Sequence, residues 1–549
     1  MFQQLAGRAT RGARRQALLV STMARAGIIR PHHPVHLGRA GAALLGWGLG
    51  FAGGVSARAR LVPDDVFVAD ELGELTWAQV DERSTRLANA LRGLGVAEGD
   101  SVAVLCRNHR GFVEVSTALG RLGAHILYLN TAFAAPQIGE VCGRESTTAI
   151  VYDEEFTELI DRAFEGAGIE VPRIVAWHDD LEAMGGSPYP VVEALIEQGA
   201  TTPLNPPAKP SRPVILTSGT TGAPKGAPRG DADLDGAVAL LKMPLREGGT
   251  THIAAPMFHT WGWAHLTLAM LLGSTVVLRR RFDPAGALQA VRDHRCDAMV
   301  AIPVMLQRIL QLPEEERSGD WSFLRVVAAS GSALPGDLAT EWMDAFGDNL
   351  YNTYGSTEVA WATIATPEDM RAAPGTAGTP PPNTVVRLYD DQGHVVAPGE
   401  SGRIFVGNSM LFEGYTGGGH KESIDGLLAT GDVGRFDEAG RLFVEGRDDE
   451  MIVSGGENVF PAEVEDCLTR HPEVVEAAAI GVDDPDYGKR LKAYVVTSGE
   501  VSEDALKEHV KHNLARYKVP REIVFLDELP RNATGKVLKR ELAGDGQDD

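Results

Sequence analysis

Cysteine is scarce in this chain: Cys106, Cys142, Cys296 and Cys467 are its four, and none stands close enough in sequence to another to form a metal-type pair. That spacing excludes a disulfide framework and a cysteine-based zinc site, and suits buried thiols in a reducing compartment. Basic residues are in the minority, 52 against 75 acidic ones, and the net charge of -23 excludes general nucleic-acid binding. Such binding needs clustered lysine and arginine to neutralise phosphates. Long apolar runs are lacking too. The Gly-rich stretch Ala40–Val55 (AGAALLGWGLGFAGGV) has sixteen residues, whereas crossing a bilayer takes roughly 17 to 25.

Acidic residues are absent altogether before Asp64, while nine arginines occur there: Arg8, Arg11, Arg14, Arg15, Arg25, Arg30, Arg39, Arg58 and Arg60. Residues 1–62 therefore read as a basic extension distinct from the acidic remainder. A secretory signal does not fit, because the apolar run starts so far from the N-terminus and none follows Arg14-Arg15 closely. The preferred reading is a surface helix packed on the main body of a cytoplasmic protein. Peripheral contact with a membrane surface, basic residues flanking an apolar face, is the alternative, and Met23 is an alternative start.

What is present points to a globular chain of more than one domain, since 549 residues with 44% hydrophobic content exceed what one core organises. Short apolar segments alternate with amphipathic ones: strand Ser101–Leu105, helix Phe112–Leu122, strand Ile126–Leu129, then strands at Val214–Leu216, Val276–Leu278 and Val326–Ala329. This is the βαβ pattern of parallel sheets. Past Pro381 the pattern becomes antiparallel, with Val433–Phe436 and Leu442–Glu445 around the turn Asp437–Gly440. A last segment places helix Ser502–Tyr517, with Leu506, Val510, Leu514 and Tyr517 on one face, between strands Ala493–Val496 and Ile523–Leu526. The expected fold is α/β: a large domain of parallel βαβ sheets plus a small antiparallel β subdomain over 63–448, then a small α+β domain over 449–549. Pro-rich links occur at Pro203–Pro213 and Pro374–Pro382, and there are no repeats.

The run Leu216–Ala227, LTSGTTGAPKGA, follows a strand and carries four hydroxyls (Thr217, Ser218, Thr220, Thr221), the glycines Gly219 and Gly222, and Lys225. Glycines let the backbone approach an anion, while hydroxyls and exposed N–H groups face it. The Walker arrangement fails because Pro224-Lys225-Gly226 lacks the metal-binding hydroxyl after lysine. An ordinary Ser/Thr/Gly turn is the plainer alternative.

Six ordered motifs resemble those of the adenylate-forming superfamily, which includes acyl-CoA synthetases, peptide-synthetase adenylation domains and firefly-type luciferases. They are Ser218–Gly226, Pro256-Met-Phe-His259, Tyr354-Gly-Ser-Thr-Glu358, Leu428-Ala-Thr-Gly-Asp432, Gly446-Arg-Asp-Asp-Glu-Met-Ile-Val-Ser-Gly-Gly-Glu-Asn458 and Pro530-Arg-Asn-Ala-Thr-Gly-Lys536. The resemblance spans roughly Pro63 to Leu542 and implies two half-reactions: a carboxylate attacks the α-phosphorus of ATP, and a thiol such as that of CoA then takes the acyl group from the adenylate. It further implies roles for individual residues. The loop Thr217–Lys225 grips the β- and γ-phosphates, Glu358 holds Mg²⁺ and Thr357 donates to a phosphate. Asp432 takes the ribose hydroxyls with Arg447 beside it, and Lys536 meets the carboxylate and α-phosphate. Ser330-Gly331-Ser332, with Tyr354 and Gly355, borders the nucleotide. Ser454-Gly455-Gly456-Glu457 lines a pantetheine tunnel after a small mobile C-terminal domain has rotated about Asp449.

The same resemblance bears on the acid. Amino-acid-activating relatives carry an aspartate soon after the motif phenylalanine, where this chain has His259-Thr-Trp-Gly-Trp263. Acetate-activating relatives carry tryptophan where Gly355 stands, which suggests room for a longer acid. His259, Trp261 and Trp263 are candidate pocket walls, with ordinary core packing as the alternative, and the apolar run Ala264–Leu272 suits methylenes at about 0.8 kcal/mol each. The expectation is an AMP-forming medium- or long-chain fatty acid CoA ligase that uses ATP, Mg²⁺ and CoA. The alternatives are an aryl-acid CoA ligase, an acyl-AMP ligase serving a carrier protein, and a non-catalytic nucleotide-binding regulator, against which Lys536, Glu358 and Asp432 all speak.

Overall fold

The computed structural model describes residues 21–22, 24–27, 34–178, 187–217, 225–228, 242–412, 414–415, 420–448, 450–454, 457–484, 488–514, 518–532 and 535–544. Two large sheets form the body. One has eight strands in the order Thr363–Ala365, Leu350–Tyr354, Val326–Ala329, Ala298–Ala301, Thr250–Ile253, Thr275–Val277, Val66–Asp70, Gly73–Thr76. Its inner strands are parallel and its two edge strands antiparallel. The other has six, in the order Arg173–Trp177, Thr147–Asp153, Ser101–Leu105, His125–Tyr128, Pro213–Thr217, Lys225–Pro228, parallel except for the last pair.

The helix Arg110–Leu122 is tied to both sheets and buried along nearly its whole length. Phe112 stacks on Tyr128 of one sheet at 4.9 Å between centroids, and the Arg110 Nε donates to Asp70 of the other at 3.0 Å. Phe112, Val113, Val115, Ala118 and Leu119 join the main core, and the buried charges of the helix are paired, Arg110 with Asp70, Glu114 with Arg83 and Arg121 with Asp81.

The third sheet is antiparallel, running Val385–Tyr389, Gly402–Gly407, Leu427–Phe436, with Ser423–Ile424 and Leu442–Arg447 both paired to Leu427–Phe436. The fourth combines Glu457–Val459, Ile452–Ser454, Gly488–Thr497, Val474–Asp484 and Glu522–Phe525, with helices Pro461–Thr469 and Glu503–Asn513. The last helix is shorter than its periodicity suggests. Ser502 caps it by accepting from Ala505 N, and the chain turns extended at Leu514, while Tyr517 lies outside the described residues.

The apolar run Ala40–Val55 is not one helix. Gly48, at φ +78°, breaks it into Pro34–Trp47 and Phe51–Leu61, which pack against each other. A side chain at Gly53 would overlap the Gly48 carbonyl, so this tight turn needs glycine at both places. Among the described residues no helix is long and apolar enough to cross a membrane. Phe51 and Val55 belong to the core of the large body, so residues 51–61 are an integral part of it and not an appended extension.

Arg58 explains why. Its side chain lies against the C-terminus of helix Thr260–Leu272, donating to the carbonyls of Met270 (3.2 Å) and Leu271 and pairing with Glu247 at 2.9 Å. Helix C-termini present unpaired carbonyls and partial negative charge, which a guanidinium satisfies. Arg58→Ala leaves the buried Glu247 without this partner. It should destabilise the fold by about 3–5 kcal/mol, read as a lowered urea midpoint. Adding Glu247→Ala should restore part of the loss; strictly additive losses would mean that the pair is not coupled.

Candidate active site

Strand Leu350–Tyr354 ends at the site, and its last side chain reaches across to the antiparallel sheet. The Tyr354 hydroxyl donates to Asp432 Oδ2 at 2.5 Å and lies 3.2 Å from Thr430 Oγ1. Burial first, then the neighbouring Asp432 charge, pushes the Tyr354 phenol well above its usual range, so it stays a proton donor. Asp432 pairs in register with Arg447 on the adjacent strand, and Arg447 Nη1 stands 3.3 Å from Asp432 Oδ1. Thr430 Oγ1 accepts from the Asp432 amide at 3.1 Å. Asp432 is thus a carboxylate oriented by a phenol, a hydroxyl and a guanidinium, suited to accept from paired hydroxyls.

Glu358 is nearly buried, 9% exposed, and its Oε1 accepts from the Tyr415 hydroxyl at 2.7 Å. Its carbonyl accepts from Phe412 N at 2.8 Å, so the same short segment holds both its main chain and its side chain. A buried carboxylate beside the hydroxyl of Thr357 is the hard oxygen set that fits Mg²⁺. Thr357 is tied to the neighbouring helix, since Thr260 Oγ1 lies 3.3 Å from its own. Tyr415 and Thr260 escaped the sequence, because each is joined to its partner only by folding, whereas Thr430 lies in the same motif as Asp432.

Gly355 has a different meaning from the one expected. A Cβ there would overlap the Ala360 carbonyl oxygen and stand 2.8 Å from Trp361 Cα. The glycine accommodates a close backbone crossing, so the inference from Gly355 to room for a longer acid loses its structural footing.

The phosphate loop is flanked by a hairpin. Thr217 and Lys225 face each other in register between Pro213–Thr217 and Lys225–Pro228. Ser218, Gly219, Thr220, Thr221 and Gly222 lie outside the described residues, as do the side chains of Thr217 and Lys225. Gly455, Gly456 and the hinge candidate Asp449 also lie outside them, and Glu457 is described only as backbone, in register with Ser454.

The loop bearing Lys536 is brought to the large domain. Gly535, at φ +76°, has Val304 Cγ1 2.5 Å and Ile302 Cδ1 2.9 Å from where a Cβ would be. The same Ile302 lies 3.3 Å from the Cβ position of Gly331, whose φ is +97°. Ser330-Gly331-Ser332 and Lys536 therefore converge on one residue. The loop is closed upon itself by Asn532 N to Lys536 O (2.9 Å) and Lys536 N to Asn532 Oδ1 (2.9 Å). Across the domains, Gln307 Nε2 donates to the Val475 carbonyl at 2.7 Å, and Arg470 sits 3.5 Å from Asp337.

His259 is the N-cap residue of helix Thr260–Leu272 and stands 3.5 Å from Asn130 Nδ2. Burial pushes its imidazole down to about 4. Trp261 is committed to structure: its indole N–H donates to the Ala301 carbonyl at 3.1 Å and its ring meets His265 edge-on at 4.3 Å. Trp263 packs against the core beside Phe51, 6.3 Å between centroids. Elsewhere, Cys106, His109 and Asp153 come together in the core. His109 Nε2 bonds Asp153 at 2.8 Å and its Nδ1 accepts from Gly111 N at 3.0 Å, so this trio pins strand ends together.

Known proteins resemble the chain along most of its length. A family model described as AMP-binding enzyme matches residues 55–416, and one described as AMP-binding enzyme C-terminal domain matches 463–536. A feruloyl-CoA synthase from Amycolatopsis is 34% identical over 494 residues, covering 88% of this chain and 96% of that protein. An indoleacetate–CoA ligase from Aromatoleum aromaticum is 33% identical over 500 residues, 89% and 96% of the two chains. Among solved structures, the o-succinylbenzoate CoA synthetase of Bacillus subtilis with its acyl-adenylate OSB-AMP superposes with a TM-score of 0.78 at 28% identity. It covers 90% of this chain and 98% of that one.

Tyr415→Phe removes the hydroxyl that donates to Glu358 Oε1 and should slow pyrophosphate release about tenfold, with weaker Mg²⁺-dependent ATP binding by calorimetry. Unchanged binding and rate would remove Tyr415 from the site. A second expectation concerns His252 and His265, each buried and pushed down to about 4 from an ordinary 6.5. Between these values the unfolded chain binds protons that the folded chain does not, so stability falls as pH drops from about 6.5 to about 4. His265→Leu should flatten that slope in a series of thermal melts; parallel curves would show that His265 contributes nothing to it.

Proposed function

The chain belongs to the AMP-binding enzyme family, as an acid–thiol ligase that forms AMP, and on that premise we propose that the acid it activates carries an aromatic ring. The observation behind this is that enzymes named for feruloyl, indoleacetate and 2-succinylbenzoate substrates match across 88–89% of the chain at 32–34% identity. The fatty acid expected from the sequence becomes the second reading. It is favoured by one feature, the helix Thr260–Leu272, whose residues Leu266, Leu268, Ala269, Met270 and Leu272 are apolar.

In the proposed reaction the acid's carboxylate oxygen bonds to the α-phosphorus of ATP as pyrophosphate leaves. The thiolate sulfur of CoA then bonds to the acyl carbon as AMP leaves. Asp432, held by Tyr354, takes the ribose hydroxyls with Arg447 beside it, fixing the nucleotide against the strand ends. Ser330-Gly331-Ser332 borders the base. Lys536 brings a cation between two anions that would otherwise repel, at the position where the contact of Gly535 with Ile302 and Val304 holds its loop. Mg²⁺, held by Glu358 when bound, offsets phosphate charge. The loop Thr217–Lys225 grips the outer phosphates. For the thiol step the small domain turns about Asp449, and Ser454–Glu457 takes the place that the Lys536 loop vacates. Gln307 and Asp337 are the large-domain contacts this turn must release. Domain limits near 448/449 and peripheral membrane contact through the N-terminal segment belong to the same proposal.

AMP release from ATP with a panel of carboxylic acids, with and without CoA, tests the reading. Arylacrylic, arylacetic and arylbutyric acids should lead and give thioester; a peak at medium or long alkyl chains would favour the second reading. Pyrophosphate release without thioester would point to a carrier-protein acceptor. Lys536→Ala should abolish adenylation while ATP binding survives, and full activity in that variant would overturn the lysine's role.

A further inference from the structure

Four of the ten large apolar side chains exposed among the described residues fall within fifteen positions: Val35 (50%), Leu37 (45%), Leu45 (91%) and Leu49 (43%). They belong to helix Pro34–Trp47 and the turn after it. At 100° per residue Val35, Ala42 and Leu45 lie on one side of the helix and are exposed, and Leu49, in the turn after Gly48, is exposed as well. The opposite side is used internally: Ala40 and Ala43 are buried, and Leu44 and Trp47 pack with Ala57 and Leu61 of the following helix. The helix is therefore apolar on both sides; the inner one is covered by the following helix, and Pro206 stands against Gly46 at one margin of the outer one, leaving Val35, Ala42 and Leu45 exposed.

Charge says what the outer side fits. No acidic residue precedes Asp64 in a chain of net charge -23, and the helix itself carries one charged residue, the exposed Arg39. A second copy docked symmetrically would oppose two arginine-bearing faces, each repelling the other. A bilayer with anionic lipids offers apolar depth to the leucines and negative headgroups to Arg39 at once. The fourteen-residue helix, about 21 Å long, fits lying in the interface plane.

We propose that the outward face of helix Pro34–Trp47, with Leu49, is a docking surface for membranes containing anionic lipid. The inner helix of the same hairpin touches the acid-pocket candidates, with Phe51 beside Trp263 and Arg58 against the end of helix Thr260–Leu272. Docking sets that helix close to the bilayer, which aids an acid that partitions there; this benefit rests on the proposed class of acid, whereas the docking itself does not.

Co-sedimentation of the full chain with phosphatidylcholine vesicles, with and without phosphatidylglycerol, is the test. The expected result is binding that requires phosphatidylglycerol, weakens with salt, and falls at least about tenfold in Leu45→Glu/Leu49→Glu but not in the control Val395→Glu. The double variant should keep its thermal midpoint and its AMP release with a freely soluble acid, since both positions are exposed and outside the site. Equal binding by wild type and double variant would overturn the proposal, as would absence of binding to either vesicle. Concentration-dependent dimers abolished by the double variant would also overturn it and assign the face to a second copy. Vesicle binding with an acid profile that excludes aromatic acids would sink the substrate reading and leave the docking surface standing.

Discussion

The contact between the Tyr354 hydroxyl and Asp432 organises the site. Tyr354 ends a strand of the eight-stranded sheet and Asp432 lies in the antiparallel sheet, so one short hydrogen bond joins two separately built layers. Everything between residues 354 and 361 reinforces that seam. Asn408 donates to the carbonyls of Val359 and Trp361 at 2.8 and 2.9 Å, Phe412 N donates to Glu358, and Tyr415 reaches the same carboxylate. In the proposed reaction Asp432 and Glu358, the one proposed to hold sugar hydroxyls and the other a cation, must keep their separation while their ligands change. The absence of side-chain bulk at Gly355 lets the 354–361 segment fold back on Ala360 and Trp361 within this seam.

A second constraint is electrostatic. In a chain of net charge -23, bringing an acid's carboxylate to a triphosphate requires cations at a specific place rather than a basic surface. Arg447 is built into a strand and permanently beside Asp432, whereas Lys536 sits on a loop closed by its own backbone and seated on Ile302 and Val304. The difference suits their tasks. In the proposed reaction a guanidinium in a strand would keep the nucleotide in place through both half-reactions, and an ammonium on a separate loop would serve only the first.

Much of this was legible in the sequence because the phosphate loop, the Tyr354–Glu358 turn, the Asp432 strand and the Lys536 loop are each contiguous. Within such a stretch the spacing of glycine, hydroxyl and charge carries the chemistry. Alternating apolar segments located the expected strands of the two large sheets to within a residue or two, whereas Leu427–Phe436 and Gly488–Thr497 begin six and five residues before their expected starts. What the sequence did not disclose depends on contacts between distant stretches: Tyr415 on Glu358, Thr260 by Thr357, Asn130 by His259. The acid was legible only as a carboxylic acid, and relatives named for aromatic acids favour the aryl alternative over the fatty acid. Trp261 looked like a pocket wall, but its indole N–H answers an Ala301 carbonyl at the end of a strand, a demand of the fold that composition cannot separate from a demand of the substrate.

The N-terminal hairpin shows how a segment that looks appended becomes structural. Arginine at position 58 was counted with the other eight as part of a basic tail, yet it is 7% exposed and spends its donors on the end of the helix that starts at His259. The helix carrying it packs on the helix Arg110–Leu122 so tightly that Gly120 meets Ala52, with 3.3 Å from its Cβ position to the Ala52 Cβ. Removing residues 51–61 would therefore expose Met270 and the carbonyls at the end of the pocket helix together with one flank of the central helix. Only the outer helix, Pro34–Trp47, stands apart from these demands, with its packed side resting chiefly on its own hairpin partner. Its exposed leucines answer no requirement of the fold, and that is the physical ground for attributing them to something outside the chain.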